Sequence, residues 1–197
     1  MKVLVGCEFS GVVRESFRKL GHDAWSCDIL PSEDDSKYHI QDDVRKVLYE
    51  DWDLGIFFPP CTHICVSGAK WFKQKTWQQE SALDFVSRLM VCPIPKIAIE
   101  NPIGVISSKI RKPEQIVQPW MFGHGETKAT CLWLKNLSKL KPTNEVDGRE
   151  QRVFRMPPSE KRSRERSRTY QGIADAMAEQ WGNTVHSKGE NKNERLE

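Results

Sequence analysis

"KVLVGCEFSGVVRESFRKLGH" (residues 2–22) moves from a short apolar run through a glycine-bearing turn into Val12, Val13, Phe17 and Leu20, which lie close to helical spacing until Gly21 stops the pattern. That order predicts a strand, a tight turn and a helix. The same alternation continues outward. "HDAWSCDIL" (22–30) predicts a second short strand ending near Asp28, and "DWDLGIFFPP" (51–60) a buried strand of the kind found inside parallel sheets. "TWQQESALDFVSRLMV" (76–91) has apolar residues at 82, 83, 85, 86, 89 and 90, an amphipathic helix, and "KIAIE" (96–100) follows as a strand. Further on, "GHGETKATCLWLK" (123–135) reads as a glycine-rich loop entering a strand and "YQGIADAMAEQWG" (170–182) as a final helix. Strands alternating with helices predict an α/β fold, a mainly parallel central sheet wound right-handed with helices on both faces.

In such sheets ligands bind beyond the carboxyl ends of the strands. Glu8 to Gly11, Asp28, Asp42 and Asp43, Pro59 to Cys61, and Glu100 to Pro102 all fall there. Five strand ends carrying polar groups predict one site.

The chain has 197 residues, enough for a single domain over 1–182 with a polar tail over 183–197. The stretch 136–168 has no clear periodicity and is expected to be an irregular basic insert or a mobile loop. Nothing resembles a signal peptide, and no apolar run approaches the roughly 20 residues that span a bilayer. A soluble cytoplasmic protein without membrane contact is expected. Six cysteines without a regular framework fit reduced thiols. The formal net charge is only +3, yet residues 149–168 hold eight Arg or Lys against three Glu. "SEKRSRERSRTY" (159–170) is thus either a solvated charged segment or a phosphate-binding surface, for which arginine's planar fork is suited.

"FFPPCTHICVSG" (57–68) poses the sharpest chemical question. Two prolines stiffen the exit of a buried strand and deliver Cys61 reproducibly. Cys61 is a nucleophile, part of a metal site with His63 and Cys65, or a small residue in a turn. Glu100 ends a neighbouring strand, and a thiol beside a carboxyl is the pairing needed to activate an electron-poor ring. The C-x-H-x-C spacing is unusual for zinc and lacks a C-x-x-C partner, so no metal is expected. Asp28 suits ribose hydroxyls, or caps the next element. The first turn lacks both G-x-G-x-x-G and a Walker lysine, so a nucleoside cofactor without phosphates fits better than a dinucleotide. Between Cys61 and Thr76, the residues Lys70, Trp71, Phe72, Lys73 and Lys75 form a candidate lid, with the two aromatics as alternative core residues.

In order, "CEFSG" (7–11), Asp28, "DDV" (42–44), "PPCT" (59–62) and "ENP" (100–102) resemble the motifs of the DNA cytosine-C5 methyltransferases, most closely their compact phage-borne members. The resemblance covers roughly residues 1–182 and rests chiefly on PPC and EN at strand ends. It implies a Rossmann-like S-adenosylmethionine-dependent methyltransferase fold. It further implies cofactor contacts at Phe9, Ser10, Gly11, Asp28, Pro59 and Asp43 or Asp42, a nucleophile at Cys61 and a base-holding acid at Glu100. Asn101 and Lys128 would contact substrate, and Arg149, Arg152, Arg155, Arg164, Arg166 and Arg168 the DNA backbone. DNA would be the partner, duplex with a flipped base or single-stranded, for a monomer in the cytoplasm, the host's if the protein is phage-encoded. The chain departs from the family at Val12 and Val13, where further glycines are common, and at ENP in place of ENV. Only about 30 residues separate "CLWL" from "RTYQGIADA", too few for a target recognition domain. Specificity is therefore expected to be low, very short, or supplied by a protein partner. Alternative readings are a nucleic-acid-binding protein on an inactive methyltransferase scaffold, and thiol chemistry on another pyrimidine.

Overall fold

The computed structural model describes residues 1–66, 76–157, 159 and 162–183. The candidate lid at Lys70 to Lys75 and the tail from 184 lie outside the described residues.

The strands are β1 (Lys2–Gly6), β2 (Asp23–Asp28), β3 (His39–Gln41), β4 (Leu54–Phe57), β5 (Lys96–Pro102), β6 (Gln115–Val117) and β7 (Thr130–Lys135). They form one sheet in the order β3-β2-β1-β4-β5-β7-β6. The pairs among β1 to β5 are parallel, and β7 runs antiparallel to both β5 and β6. The helices are α1 (Val12–Lys19), α2 (Thr76–Val91), α3 (Ile106–Lys109), α4 (Arg152–Arg155), α5 (Arg162–Ser167) and α6 (Gln171–Gly182). This is the expected Rossmann-like α/β architecture.

Side chains alternate across each strand, and the two faces of the sheet feed two separate cores. Val3, Val5, Leu54, Ile56 and Leu132 pack with Val13, Phe17, Ile173, Met177 and Trp181 from α1 and α6. Leu4, Phe57, Ile97, Ile99 and Trp133 pack on the other face with Val86 and Leu89 of α2. Both faces of the sheet are covered, which explains why β1 and β4 read as continuous apolar runs.

The stretch 136–151 is irregular in backbone, in keeping with its expectation as an irregular insert, and is tied by hydrogen bonds along β6 and α6. Leu140 is buried, and its backbone exchanges hydrogen bonds with the Gln115 side chain while Lys141 does the same with Gln180. Asn144 and Val146 pair by backbone with Met121 and Trp120. The basic run beyond it forms the short helices α4 and α5.

Candidate active site

Parallel strands place their carboxyl ends on one edge, and the antiparallel register sets Thr130, the first residue of β7, opposite Pro102. The loops after β4 and β5 and the loop before β7 therefore meet. Beyond β4, Cys61 to Cys65 form a tight turn in which the Cys61 carbonyl accepts from the Ile64 and Cys65 amides at 3.1 and 3.0 Å. That turn is laced to the loop beyond β5: Val105 donates to the Ile64 carbonyl at 2.8 Å, Val66 to the Ile103 carbonyl at 3.1 Å, and Cys65 bridges Gly104. Gly104 has no room for a side chain, since a Cβ there would fall 2.0 Å from the Ile64 carbonyl oxygen. The two motifs move as one unit.

Asn101 is 1% exposed, and its Nδ2 donates to the Pro59 carbonyl at 2.7 Å. Its amide nitrogen ties the two strand ends together, while its Oδ1 is buried without a hydrogen-bond partner among the described residues. Pro59 is likewise buried, and its carbonyl accepts that bond at the exit of β4.

Cys61 is partly exposed. A hydrogen bond with Cys65, burial and the nearby Glu100 charge all push its thiol up, so the resting sulfur is protonated. Among the described residues, no group of three or more His, Cys, Asp or Glu converges to hold a metal. Cys65 is explained by its contact with Cys61, and the His63 carbonyl accepts from Gln79. All six cysteines are free thiols.

Glu100 points to the face covered by α6, where Leu132 is its register partner. Burial pushes its carboxyl up, against the Lys128 cation and the Thr130 hydroxyl, which favour the ionised form. A raised carboxyl holds its proton more readily than an ordinary glutamate. Glu100, Lys128, Thr130, Thr169 and Tyr170 border a small cavity of about 10 Å³, roughly the room of one water. Lys128, Thr169 and Tyr170 also border a much larger cleft of about 600 Å³, lined as well by Arg152, Arg164, Arg166 and Arg168. Lys128 thus stands between an acid and a basic cleft. Its ammonium donates to the Arg166 carbonyl at 2.8 Å and lies 5.9 Å from the Tyr170 ring centroid.

On the other half of the edge, Gly11 takes a left-handed φ of +74° to open α1. The amides at the start of that helix already have a partner within the chain. The Glu8 carboxylate accepts from Val13 N at 2.8 Å and Arg14 N at 3.4 Å, with the Ser10 hydroxyl at 3.2 Å. Burial pushes Glu8 up to about 7. Asp28 ends β2 partly exposed, with burial pushing its carboxyl up and one oxygen accepting from Leu30 N at 2.9 Å. Asp43 is bonded by Arg45, which holds its carboxyl below the usual range, and Asp42 pairs with Lys46. Phe9 lies under the Arg164 guanidinium, 5.3 Å from its ring centroid.

The predicted arginines divide. Arg152, Arg164, Arg166 and Arg168 line the cleft. Arg149 instead stacks over Trp120 at 4.0 Å and donates to the Val146 and Gly148 carbonyls, and Arg155 is exposed on α4. Several cleft residues escaped the sequence reading. Glu33 receives both Arg164 and Arg168, and although burial opposes its ionisation these bonds hold its carboxyl below the usual range. Glu126 receives Arg152 at 2.9 Å and the Tyr170 hydroxyl at 2.6 Å. Neither glutamate carries a local motif; only their long-range partners reveal them.

No family model matches the sequence, and no curated protein is similar to it. Among solved structures, a presumed DNA modification methyltransferase encoded within a prophage (E. coli) is similar at 14% identity and a TM-score of 0.43, over 73% of this chain. The chain spans about half the length of that protein, 51%.

Proposed function

We propose that the protein transfers a methyl group to C5 of cytosine in DNA through a covalent bond between Cys61 and C6, with Glu100 holding the base. The observation that carries this reading is the lacing of the Cys61 turn to the loop beyond Glu100, with the Glu100 carboxyl bordering a small cavity that shares Lys128, Thr169 and Tyr170 with the arginine-lined cleft.

S-adenosylmethionine fits this edge in part: Asp28 would receive its ribose hydroxyls, with Phe9, Ser10 and Gly11 beneath it. When bound it supplies an electrophilic methyl group. The chain's own residues do the rest. A stacked base is out of reach, so the target cytosine must be extruded or single-stranded, its phosphates drawn by Arg152, Arg164, Arg166 and Arg168. Glu100 gives its proton to N3, and the carboxylate left behind lies beside the Lys128 cation. Protonation at N3 withdraws electrons from C6. Cys61 loses its S–H proton to solvent and its sulfur bonds C6, which makes C5 electron-rich enough to accept a methyl group. Loss of the C5 proton to solvent, cleavage of the S–C6 bond, return of the N3 proton to Glu100 and uptake of a solvent proton by the released Cys61 thiolate restore both ring and protein.

In the test, Cys61→Ala should abolish 5-methylcytosine formation while circular dichroism and the thermal midpoint stay near those of the parent. Continued formation of 5-methylcytosine by that variant contradicts the assignment. The second reading, a DNA-binding scaffold without turnover, is favoured by one observation, the occupation of the α1 amides by Glu8. Calorimetry with S-adenosylmethionine in the presence of DNA separates the two, because only the enzyme should bind it.

A further inference from the structure

Phe154 is 76% exposed on α4, flanked in sequence by Arg152 and Arg155. A single exposed phenyl is ordinary on protein surfaces and by itself means little. Its setting is what distinguishes it. The helix beneath it is anchored: Val153 is 7% exposed and lines the 600 Å³ cleft, and Arg152 donates to Glu126, which also takes the Tyr170 hydroxyl. The ring is thus held outward by a packed element at the cleft wall. Arg155 follows it in the chain and Arg152 precedes it by two residues, a basic stretch that suits a polyanion with flat faces better than an apolar protein contact. Nucleic-acid grooves combine cationic tracks for phosphates with aromatic rings on which bases stack.

We propose that Phe154 stacks on a base of the DNA strand whose phosphates enter the cleft, giving affinity that is independent of charge. This rests on the nucleic-acid reading of the cleft in the proposed function, and adds to it a contact that no backbone arginine supplies. Stacking acts through the ring face, so its contribution persists at high salt. The arginines act through counterion release and fade as salt rises.

Binding of a labelled single-stranded oligonucleotide to the full-length protein, without S-adenosylmethionine and across a salt series, separates these contributions. Phe154→Ala should weaken binding roughly 5- to 100-fold at every salt concentration and leave the slope of log affinity against log salt unchanged. Phe154→Trp should restore affinity, and Arg155→Gln should flatten the slope. An oligonucleotide carrying 5-iodouracil should photocrosslink at Phe154. Undiminished binding by Phe154→Ala overturns the proposal, as does a loss accompanied by the slope change of Arg155→Gln. Phe154-dependent self-association with unaltered DNA binding would assign the ring to a protein contact and overturn it equally. Should the protein form no 5-methylcytosine while binding still depends on Phe154, the proposed reaction falls and this contact stands.

Discussion

The loops beyond β4 and β5 and those beyond β1 and β3 lie along one edge of one sheet, yet they treat their polar groups in opposite ways. At the first pair, backbone hydrogen bonds join the loops to each other, a hydrogen bond with Cys65 and burial push the Cys61 thiol up, and burial pushes the Glu100 carboxyl up. At the second pair, side chains satisfy one another: Glu8 caps α1, Asp43 holds Arg45, and Asp42 holds Lys46. On the proposed function, the thiol half meets its ligand with its backbone already tied, whereas the other half meets one with its polar groups already paired. Preorganisation lowers the cost of reaching the reacting geometry, whereas exchange makes binding depend on competition.

The largest expected effect breaks the preorganised half. Gly104→Ala pushes a methyl group against the Ile64 carbonyl, backbone that cannot swing aside, so we expect a loss of about 3 kcal/mol in stability and a collapse of activity. Gly11→Ala meets instead the flexible end of Arg14, although its φ of +74° adds strain, and should cost on the order of 1 kcal/mol. Equal costs in denaturant melts would erase the contrast.

A smaller effect tests the self-satisfied half. The Glu8 carboxyl stands at about 7, above its ordinary 4.5, so the folded chain holds this proton more tightly than the unfolded chain. That contribution is present at acid pH and is lost as pH rises from about 4.5 through 7, on the order of 3 kcal/mol. Glu8→Gln should remove that part of the decline between pH 5 and pH 8. Parallel pH profiles for variant and parent would contradict the burial argument.

The smallest concerns the nucleophile itself. Cys65→Ala removes the hydrogen bond that raises the Cys61 thiol, so alkylation of Cys61 by iodoacetamide at pH 8 should quicken several-fold, as read by mass spectrometry. An unchanged rate would mean that burial alone keeps the sulfur protonated.

What the sequence disclosed follows the same division. β1, β2, β4, β5, β7 and the helices α1, α2 and α6 are legible because each buries a face with its own period. β3 and β6 have three residues apiece, too few for any period to emerge. Cys61 and Glu100 were legible because strand ends announce themselves by an apolar run followed by a polar residue. The partners that set their chemistry were not. Cys65 stood in an unexplained C-x-H-x-C spacing until the turn brought its sulfur to Cys61, and Glu33 reaches Arg168 across a separation of 135 residues. For Asn101 the motif named the residue, but only packing shows that its amide nitrogen is directed at the Pro59 carbonyl.

One measurement bears most directly on the preorganised thiol. DNA in which the C5 hydrogen of cytosine is replaced by fluorine cannot lose a proton at C5 after methyl transfer, so the S–C6 bond should persist. Incubation with S-adenosylmethionine, digestion and mass spectrometry should find the methylated fluorocytosine adduct on the peptide carrying Cys61. An adduct at another cysteine, or free DNA alone under conditions where the protein binds it, would contradict the proposed role of Cys61.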